Sequence, residues 1–446
     1  MTVSARPTVP AGPGGRAAFA VGMLTVCNRL SRALGRGSGT VAGGRVGLFL
    51  DPGLLTVLAR DRAVALVSGT NGKTTTTSML AAALAGDSGR VVATNATGAN
   101  MPAGHASALA GAPPGADAVL EVDESYLDRL IVETAPRVVV LLNLSRDQLD
   151  RIAEVRILAD RWRTALGRLG GRPGPDRPAT VVVANADDPL VVWAAVTAPE
   201  VRWVGAGQVW RNDAVGCPAC GGGIEFGDAG GWACDRCDFA RPDRQAWLDR
   251  SDLVLEDGTR LPVDIALPGW FNRANAAMVA VAAPYMSGGA GPDGRQDPLT
   301  PAVVLDRLSL VTEVAGRFAH LIRHGRRVRL LLAKNPAGWT AIFDLLDEDG
   351  SRDAPVVVSI NARTADGRDT SWLWDAPFER LAGRVVVATG DRRLDLAVRL
   401  RYADVACTVV PDPVEAVDRA VGLVPTGSAV EFLGNYTAFA DVTGGL

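Results

Sequence analysis

Lysine is almost absent from this chain. Of 46 basic residues only Lys73 and Lys334 are lysines, and the rest are arginines. Arginine serves wherever a plain positive charge suffices, so a lysine that persists points to a task needing a compact point charge, such as meeting a phosphate. A strong net charge is also lacking: the formal value of −3 leaves no global footprint for nucleic acid. No apolar run reaches the roughly twenty residues of a membrane span. No A-x-A-like cleavage site follows the apolar stretch from Ala17 to Cys27, which reads as a packed helix of a cytoplasmic chain rather than a signal peptide. No repeat of solenoid period occurs. The six cysteines form no disulfide framework, because four cluster while Cys27 and Cys407 stand alone. Histidine is scarce too, and His105, His320 and His324 read as surface or capping residues.

What is present describes a multidomain α/β protein. With 446 residues, 48% of them hydrophobic, the chain is long enough for two or three cores. Residues 1–15 are rich in proline and glycine and read as a disordered leader. Phe19, Met23, Val26, Cys27, Leu30 and Leu34 then recur at helical spacing, which predicts an amphipathic helix. Short Val-rich runs at Ala63–Val67, Val91–Thr94, Ala118–Val122, Val138–Leu142 and Thr180–Ala184 predict buried strands of a largely parallel sheet. Arg161–Leu169 reads as helix, and Gly170–Pro178 and Gly288–Pro298 as loops. Beyond the second loop the rhythm restarts. Strands are expected at Val328–Ala333, Pro355–Ile360, Arg384–Ala388, Val405–Val410 and Ala429–Leu433, with helices at Gly338–Leu346 and Pro413–Val421. The expected division is a central domain over 16–315 and a smaller Rossmann-like α/β domain over 316–446.

The first strand runs into Gly69-Thr70-Asn71-Gly72-Lys73-Thr74-Thr75 and then a helical pattern. Strand, glycine loop, Lys-Thr and helix is the arrangement of a P-loop. Backbone N–H groups and the helix N-terminus cradle phosphate, Lys73 meets the β- and γ-phosphates, and Thr74 can hold Mg²⁺. The loop is a shortened variant, since Val67 stands where the full pattern has glycine.

Cys217-x₂-Cys220 and Cys234-x₂-Cys237 form two knuckles whose four thiolates predict a tetrahedral Zn²⁺ ribbon over 211–242, with an iron centre or redox-active pairs as the lesser alternatives. A site with all four positions filled leaves no room for substrate, so its expected role is structural. A nucleic-acid-reading ribbon is the rival, opposed by the acidic neighbours Asp213, Glu225, Asp228, Asp235 and Asp238.

The glycine loop resembles that of the Mur ligases and folylpolyglutamate synthetases, and further segments follow in the order found there. Leu120-Glu121-Val-Asp123-Glu124-Ser resembles the segment whose glutamate holds Mg²⁺. Asn143–Arg151 resembles T-N-x-x-x-D-H-L-D, Asn185-Ala-Asp187-Asp188-Pro the N-x-D-D element, and Leu267–Ala277 the L-P-G-x-H-N-x-x-N segment that includes Asn272. Gly316-Arg317 resembles the pair that ends the central domain. Two departures stand out. Gln148 replaces a metal-binding histidine, and no lysine lies between Asp150 and Gly170 where several Mur ligases carry a carbamylated one.

The segments Leu332–Trp339, Asn361–Asp375 and Glu431–Ala438, with the ribbon, are similar to the MurT family. That resemblance implies a synthetase subunit of lipid II isoglutaminyl synthase. It would use ATP and Mg²⁺ to phosphorylate the α-carboxylate of D-glutamate in the lipid II stem peptide, at the inner face of the membrane. Ammonia from a separate glutaminase subunit, GatD-like, would give D-isoglutamine. The nucleotide residues would be Gly69 to Thr75, Asn185, Asp188, Asn272 and Arg317, with Lys73 and Glu121 catalytic, and Arg317 or Lys334 as further cations. Asp366 or Asp369 would complete the partner's Cys–His dyad. With four cysteines assigned to metal, neither Cys27 nor Cys407 has a nucleophile context, so the chain is not expected to make its own ammonia. An amino-acid-adding Mur or folylpolyglutamate enzyme is the nearer alternative, and a zinc-bearing P-loop module for nucleic acid the distant one.

Overall fold

The computed structural model describes residues 14–33, 40–86, 90–95, 99–146, 155–169, 179–208, 210–227, 230–286, 299–311, 318–348 and 353–445. Two sheets organise the chain. The first contains β1 (Val64–Ser68), β2 (Val92–Thr94), β3 (Asp117–Val122), β4 (Val138–Leu141), β5 (Val181–Asn185) and β6 (Val201–Gly205). All six are parallel, and β1, β3, β4 and β5 are buried along their whole length. Such burial explains why they read as continuous Val runs rather than alternating ones. After β6 the chain makes a short hairpin, β7 (Ile224–Phe226) and β8 (Trp232–Cys234). It then returns as β9 (Ala246–Asp249), β10 (Asp252–Leu255) and β11 (Arg260–Pro262), completing the sheet order β11-β10-β9-β6-β5-β4-β1-β3-β2. Because β9 pairs directly with β6, through Val204–Ala246 and Gly205–Trp247, the cysteine hairpin is an insertion in this sheet.

The second sheet holds β12 (Phe318–Arg323), β13 (Arg326–Leu332), β14 (Val356–Ser359), β15 (Val386–Thr389), β16 (Cys407–Val409) and β17 (Ala429–Gly434). Its order is β12-β13-β17-β14-β15-β16, parallel apart from the β12–β13 hairpin. Helices cover both faces of each sheet and divide the apolar residues into two cores per sheet. Local chemistry sets several ends. The helix Pro413–Val421 starts where the Asp412 side chain accepts from the N–H groups of Val414 and Glu415, with proline at its first position. The helix expected over Arg161–Leu169 instead begins at Val155 and closes in a 3₁₀ turn, Gly167–Leu169. The loops 170–178 and 288–298, most of the leader, Gln148, Arg317 and the domain boundary placed after residue 315 lie outside the described residues.

The first helix, Gly15–Ala33, packs on a face other than the expected stripe. Ala17, Ala20 and Leu24 are buried, whereas Phe19, Val26 and Leu30 are 61%, 48% and 57% exposed. Close approach decides the face. The next helix, Thr40–Leu50, presents Gly43, where a Cβ would lie 2.5 Å from the Leu24 carbonyl oxygen. The small-residue face therefore docks and the bulky one turns outward.

In the first sheet β1 lies between β3 and β4, and the chain order reverses there. That is the switch point at which open parallel sheets bind ligands beyond the carboxyl ends of their strands. The glycine loop leaves β1 at this place.

Candidate active site

The loop 69–72 joins β1 to the helix Lys73–Ala85, so that the helix N-terminus, the end that favours an anion, abuts the glycine loop. Gly72 caps that helix with φ of 87°, and a Cβ there would stand 2.7 Å from Asn275 Oδ1, so only glycine fits. The segment after β4 clasps the loop. Thr70 N–H donates to the Asn143 carbonyl (2.9 Å), Ser145 N–H donates to Thr70 Oγ1 (2.9 Å), and Asn71 N–H donates to Asn143 Oδ1 (2.9 Å). The Asn143 amide returns a bond to the Asn71 carbonyl at 3.0 Å. A loop fixed this way needs little reorganisation when an anion arrives.

Lys73 is buried. Its ammonium donates to Gly69 O (2.6 Å), Thr70 O (3.3 Å) and Glu124 Oε1 (3.0 Å). A buried ammonium requires such partners. Glu124 was not singled out by sequence; its signal was the second glutamate of Glu121-Val-Asp-Glu124. Glu121 lies near the end of β3, 1% exposed, and its Oε2 has no hydrogen-bond partner among the described residues. Its backbone is pinned by both ends of the Asn95 amide, each at 2.8 Å, and by His105 Nε2, 2.7 Å from its carbonyl oxygen. His105 is thus a fully buried residue beside the site, not a surface or capping one. Burial drops its pKa to about 4, and the carbonyl acceptor requires the proton on Nε2.

A cleft opens beside the loop, between the two sheets. Asn71, Thr74 and Thr75 form one wall, Ala206 and Gly207 another, and Trp270, Phe271 and Met278 an apolar side. Ala337, Gly338 and Ala341 of the helix Pro336–Glu348 close it from the second sheet. None of these apolar or second-sheet residues was singled out as a site residue by sequence, because their types are ordinary core types. Asn185 and Asp188 line the cleft, yet their side chains shape backbone. Asn185 donates to the Gly207 carbonyl (3.0 Å), and the neighbouring Asp187 accepts from Gly207 N–H (2.7 Å). Asp188 caps the helix Pro189–Ala195 through Leu190 and Val191 and also accepts from Leu144 N–H at 2.8 Å. Burial raises its pKa to about 6 against those three bonds. Asn272 donates to the Pro268 carbonyl at 2.7 Å. Across the cleft, the amides of Asn71 and Asn335 exchange two hydrogen bonds, 3.2 and 3.1 Å.

The two aspartates of the second sheet differ sharply. Asp366 is buried and accepts from both the backbone (2.8 Å) and the hydroxyl of Thr437, so it holds the start of the last helix. Asp369 is exposed, and its carboxylate accepts from Ser371 N–H at 2.8 Å, a bond that also holds its pKa below the usual carboxylate value. Trp372 is core, stacked 6.1 Å from Trp339, whereas Trp374 is 54% exposed.

The cysteine sulfurs of residues 217, 220, 234 and 237 all lie within 4.8 Å of one another, with Cys217–Cys237 at 3.7 Å and Cys220–Cys234 at 3.5 Å. Zinc–sulfur bonds of about 2.3 Å in a tetrahedron place sulfurs about 3.8 Å apart, so the donor set fits the ion. The N–H groups of Gly222 and Arg236 point at the sulfurs of Cys220 and Cys234 (3.4 and 3.3 Å), as thiolate ligands require. The ribbon leans on the cleft wall. Trp232 donates to the Ala186 carbonyl (3.0 Å), and Arg241 pairs with Asp187 at 3.1 Å.

Two stretches of the chain match known families. Residues 67–213 match the Mur ligase middle domain, and residues 332–439 match the MurT ligase C-terminal domain. The chain is 30% identical over 400 residues to the lipid II isoglutaminyl synthase (glutamine-hydrolyzing) subunit MurT of Streptococcus pneumoniae, covering 83% of each. It is 28% identical over 414 residues to the Staphylococcus aureus protein of that description, covering 88% of this chain and 89% of the relative. Among solved structures, a pseudomurein peptide ligase type C from Methanothermus fervidus superposes with a TM-score of 0.61 at 20% identity, over 86% of this chain and 78% of that one, which supports the fold alone. By this identity over most of its length, and by the match of its second α/β sheet to the MurT C-terminal domain, the chain belongs to the MurT family of lipid II isoglutaminyl synthase subunits.

Proposed function

We propose that this chain amidates the α-carboxylate of D-glutamate in the lipid II stem peptide, using ATP, with ammonia delivered by a glutaminase subunit. A carboxylate oxygen attacks the γ-phosphorus of ATP and the bond to the ADP oxygen breaks, giving an acyl phosphate. Ammonia then attacks the acyl carbon, phosphate leaves, and the surplus proton goes to solvent or phosphate, yielding D-isoglutamine. The observation that carries this reading is the clasped loop with Lys73 held at 3.0 Å from Glu124, in a chain that matches MurT subunits along most of its length.

Each residue has a part. The N–H groups at the start of the helix Lys73–Ala85 and the Lys73 ammonium offset charge on the transferring phosphoryl group. Glu121 and Thr74 would hold Mg²⁺, which would neutralise the β- and γ-phosphate oxygens. The partnerless buried Oε2 of Glu121 fits that need. Trp270, Phe271 and Met278 offer apolar faces for the base, and the ordered Ala206–Gly207 backbone offers polar edges. The four cysteines would hold a structural Zn²⁺. Asp369, exposed and ionised, faces outward where a glutaminase could use it, while Asp366 serves the fold. The reaction would take place at the inner face of the membrane, where the soluble nucleotide meets a lipid-linked substrate.

The test is ATP-dependent conversion of detergent-dispersed lipid II with ammonium chloride, read by mass spectrometry as exchange of a hydroxyl for an amino group. Product with ammonium alone supports the assignment. ATP hydrolysis without amide, with or without a glutaminase, sinks it.

A further inference from the structure

The first helix is apolar on two opposite faces, and among the described residues only one of them is covered. A helix apolar all round is normally buried all round. Here Ala17, Ala20 and Leu24 dock, while Phe19, Val26 and Leu30 form a stripe on the opposite side, spaced seven and eleven residues from its start. The partner helix Thr40–Leu50 behaves alike. It packs through Gly43 and Gly47 and leaves Phe49 85% exposed, one turn beyond the exposed Arg45.

Charge says what suits these faces. The first fifty residues contain six arginines and no aspartate or glutamate, although the whole chain carries a net −3. Arg16, Arg29, Arg32 and Arg45 sit on the two helices, all exposed, and none pairs with a carboxylate among the described residues. A second copy of the chain would set arginine against arginine. An anionic lipid surface offers the opposite charge together with an apolar layer for the phenylalanines, the combination that interfacial helices use. No helix among the described residues is long and apolar enough to cross a membrane, so the contact would lie in the interface.

We propose that the pair of helices Gly15–Ala33 and Thr40–Leu50 is a membrane-docking surface, with Phe19, Leu30 and Phe49 entering the headgroup layer and the arginines meeting anionic lipid phosphates. The idea rests on the proposed lipid-linked substrate for its purpose, though not for its evidence. Docking would hold the cleft near a substrate confined to two dimensions, raising its local concentration.

The experiment is co-sedimentation of the full chain with vesicles of phosphatidylglycerol and phosphatidylcholine, or of phosphatidylcholine alone, without lipid II. Binding to the anionic vesicles is expected, weaker in high salt and at least about tenfold weaker in the double variant Phe19→Ser, Leu30→Ser. Circular dichroism and the melting temperature show whether that variant folds; Phe49→Ser and Arg29→Ser are independent single changes. Absence of binding to anionic vesicles, or equal binding by folded variants, overturns the proposal. So does a wild-type dimer in light scattering that these substitutions dissociate, or loss of glutaminase binding with vesicle binding intact, since each assigns the face to a protein. Amidation separates the two readings. The variants should slow turnover of lipid II in vesicles and leave detergent-dispersed lipid II unaffected. Amidation in detergent by a chain that ignores vesicles removes only the docking. Vesicle binding without any amidation removes only the enzymatic assignment.

Discussion

The cysteine ribbon and the cleft beside the glycine loop are neighbours built on opposite plans. The ribbon gathers its four cysteines from 21 residues of chain, Cys217 to Cys237, and its core is a small cluster around Trp232. The cleft collects Asn71, Asn143, Asn185, Asn272 and Gly338, spread over both sheets. A local site can be recognised by spacing, and it stands or falls with its metal. A dispersed site depends on strand order, and its parts support one another across the fold.

Substitutions at the two sites should therefore fail differently. The largest effect is expected for Lys73→Ala, which should lower amidation by about 100- to 1,000-fold or more in steady-state assays while circular dichroism still shows a folded chain, at a lower melting temperature because Glu124 loses its buried partner. Near-normal turnover would remove the loop from the chemistry. Cys220→Ser should act the other way round. Metal analysis should show zinc lost and denaturant titration a destabilisation of several kcal/mol, with ATP binding weakened only through the ribbon's contacts to Ala186 and Asp187. A metal-free variant of full stability would make the ribbon dispensable. Asp369→Asn should slow glutamine-driven amidation by roughly tenfold or more and spare the ammonium-driven reaction. Asp366→Asn should instead lower stability with both nitrogen sources affected alike, and a partner-specific defect there would reverse the two assignments.

The smallest effect concerns pH. The folded-state pKa of Asp188 is raised by burial, to about 6 from 3.8. The folded chain thus binds this proton more tightly than the unfolded one. The contribution is fully present below pH 3.8 and is lost as pH rises through about 6. Asp188→Asn should flatten that part of the stability profile by roughly 2–3 kcal/mol in urea titrations across the window. An unchanged slope would show that Asp188 titrates normally.

Strand positions were legible because buried parallel strands leave short Val runs bounded by turn residues, as at Val138–Leu141, whereas the similar run at 190–195 is turned into a helix by its Asp188-Pro189 cap. The glycine loop was legible because Gly72 has no alternative beside Asn275. The face of the first helix was misread because hydrophobic size was taken as the sign of burial. The backbone approach at Gly43 favours small residues, and alanine gives a weak pattern. Glu124 was missed because its importance lies in reaching Lys73 from another strand's end, which no spacing along the chain encodes. The exposure difference between Asp366 and Asp369 was equally hidden, since it depends on Thr437, 71 residues away in sequence from Asp366.

The Asn71–Asn335 amide pair is one of the ties between the two halves across the cleft, beside the packing of Phe318 against a core of each. Two neutral hydrogen bonds contribute about 1–3 kcal/mol together, and the exposed Arg146–Asp375 pair at 3.8 Å adds little. That latch is comparable to a few multiples of thermal energy and carries no charge that pH could switch. A molecule seated in the cleft touches both halves at once and so contributes to the clasp itself. Any such ligand would add its own contacts to the Asn71–Asn335 pairing, so the join between the halves would be firmer with the cleft filled than with the two amides alone.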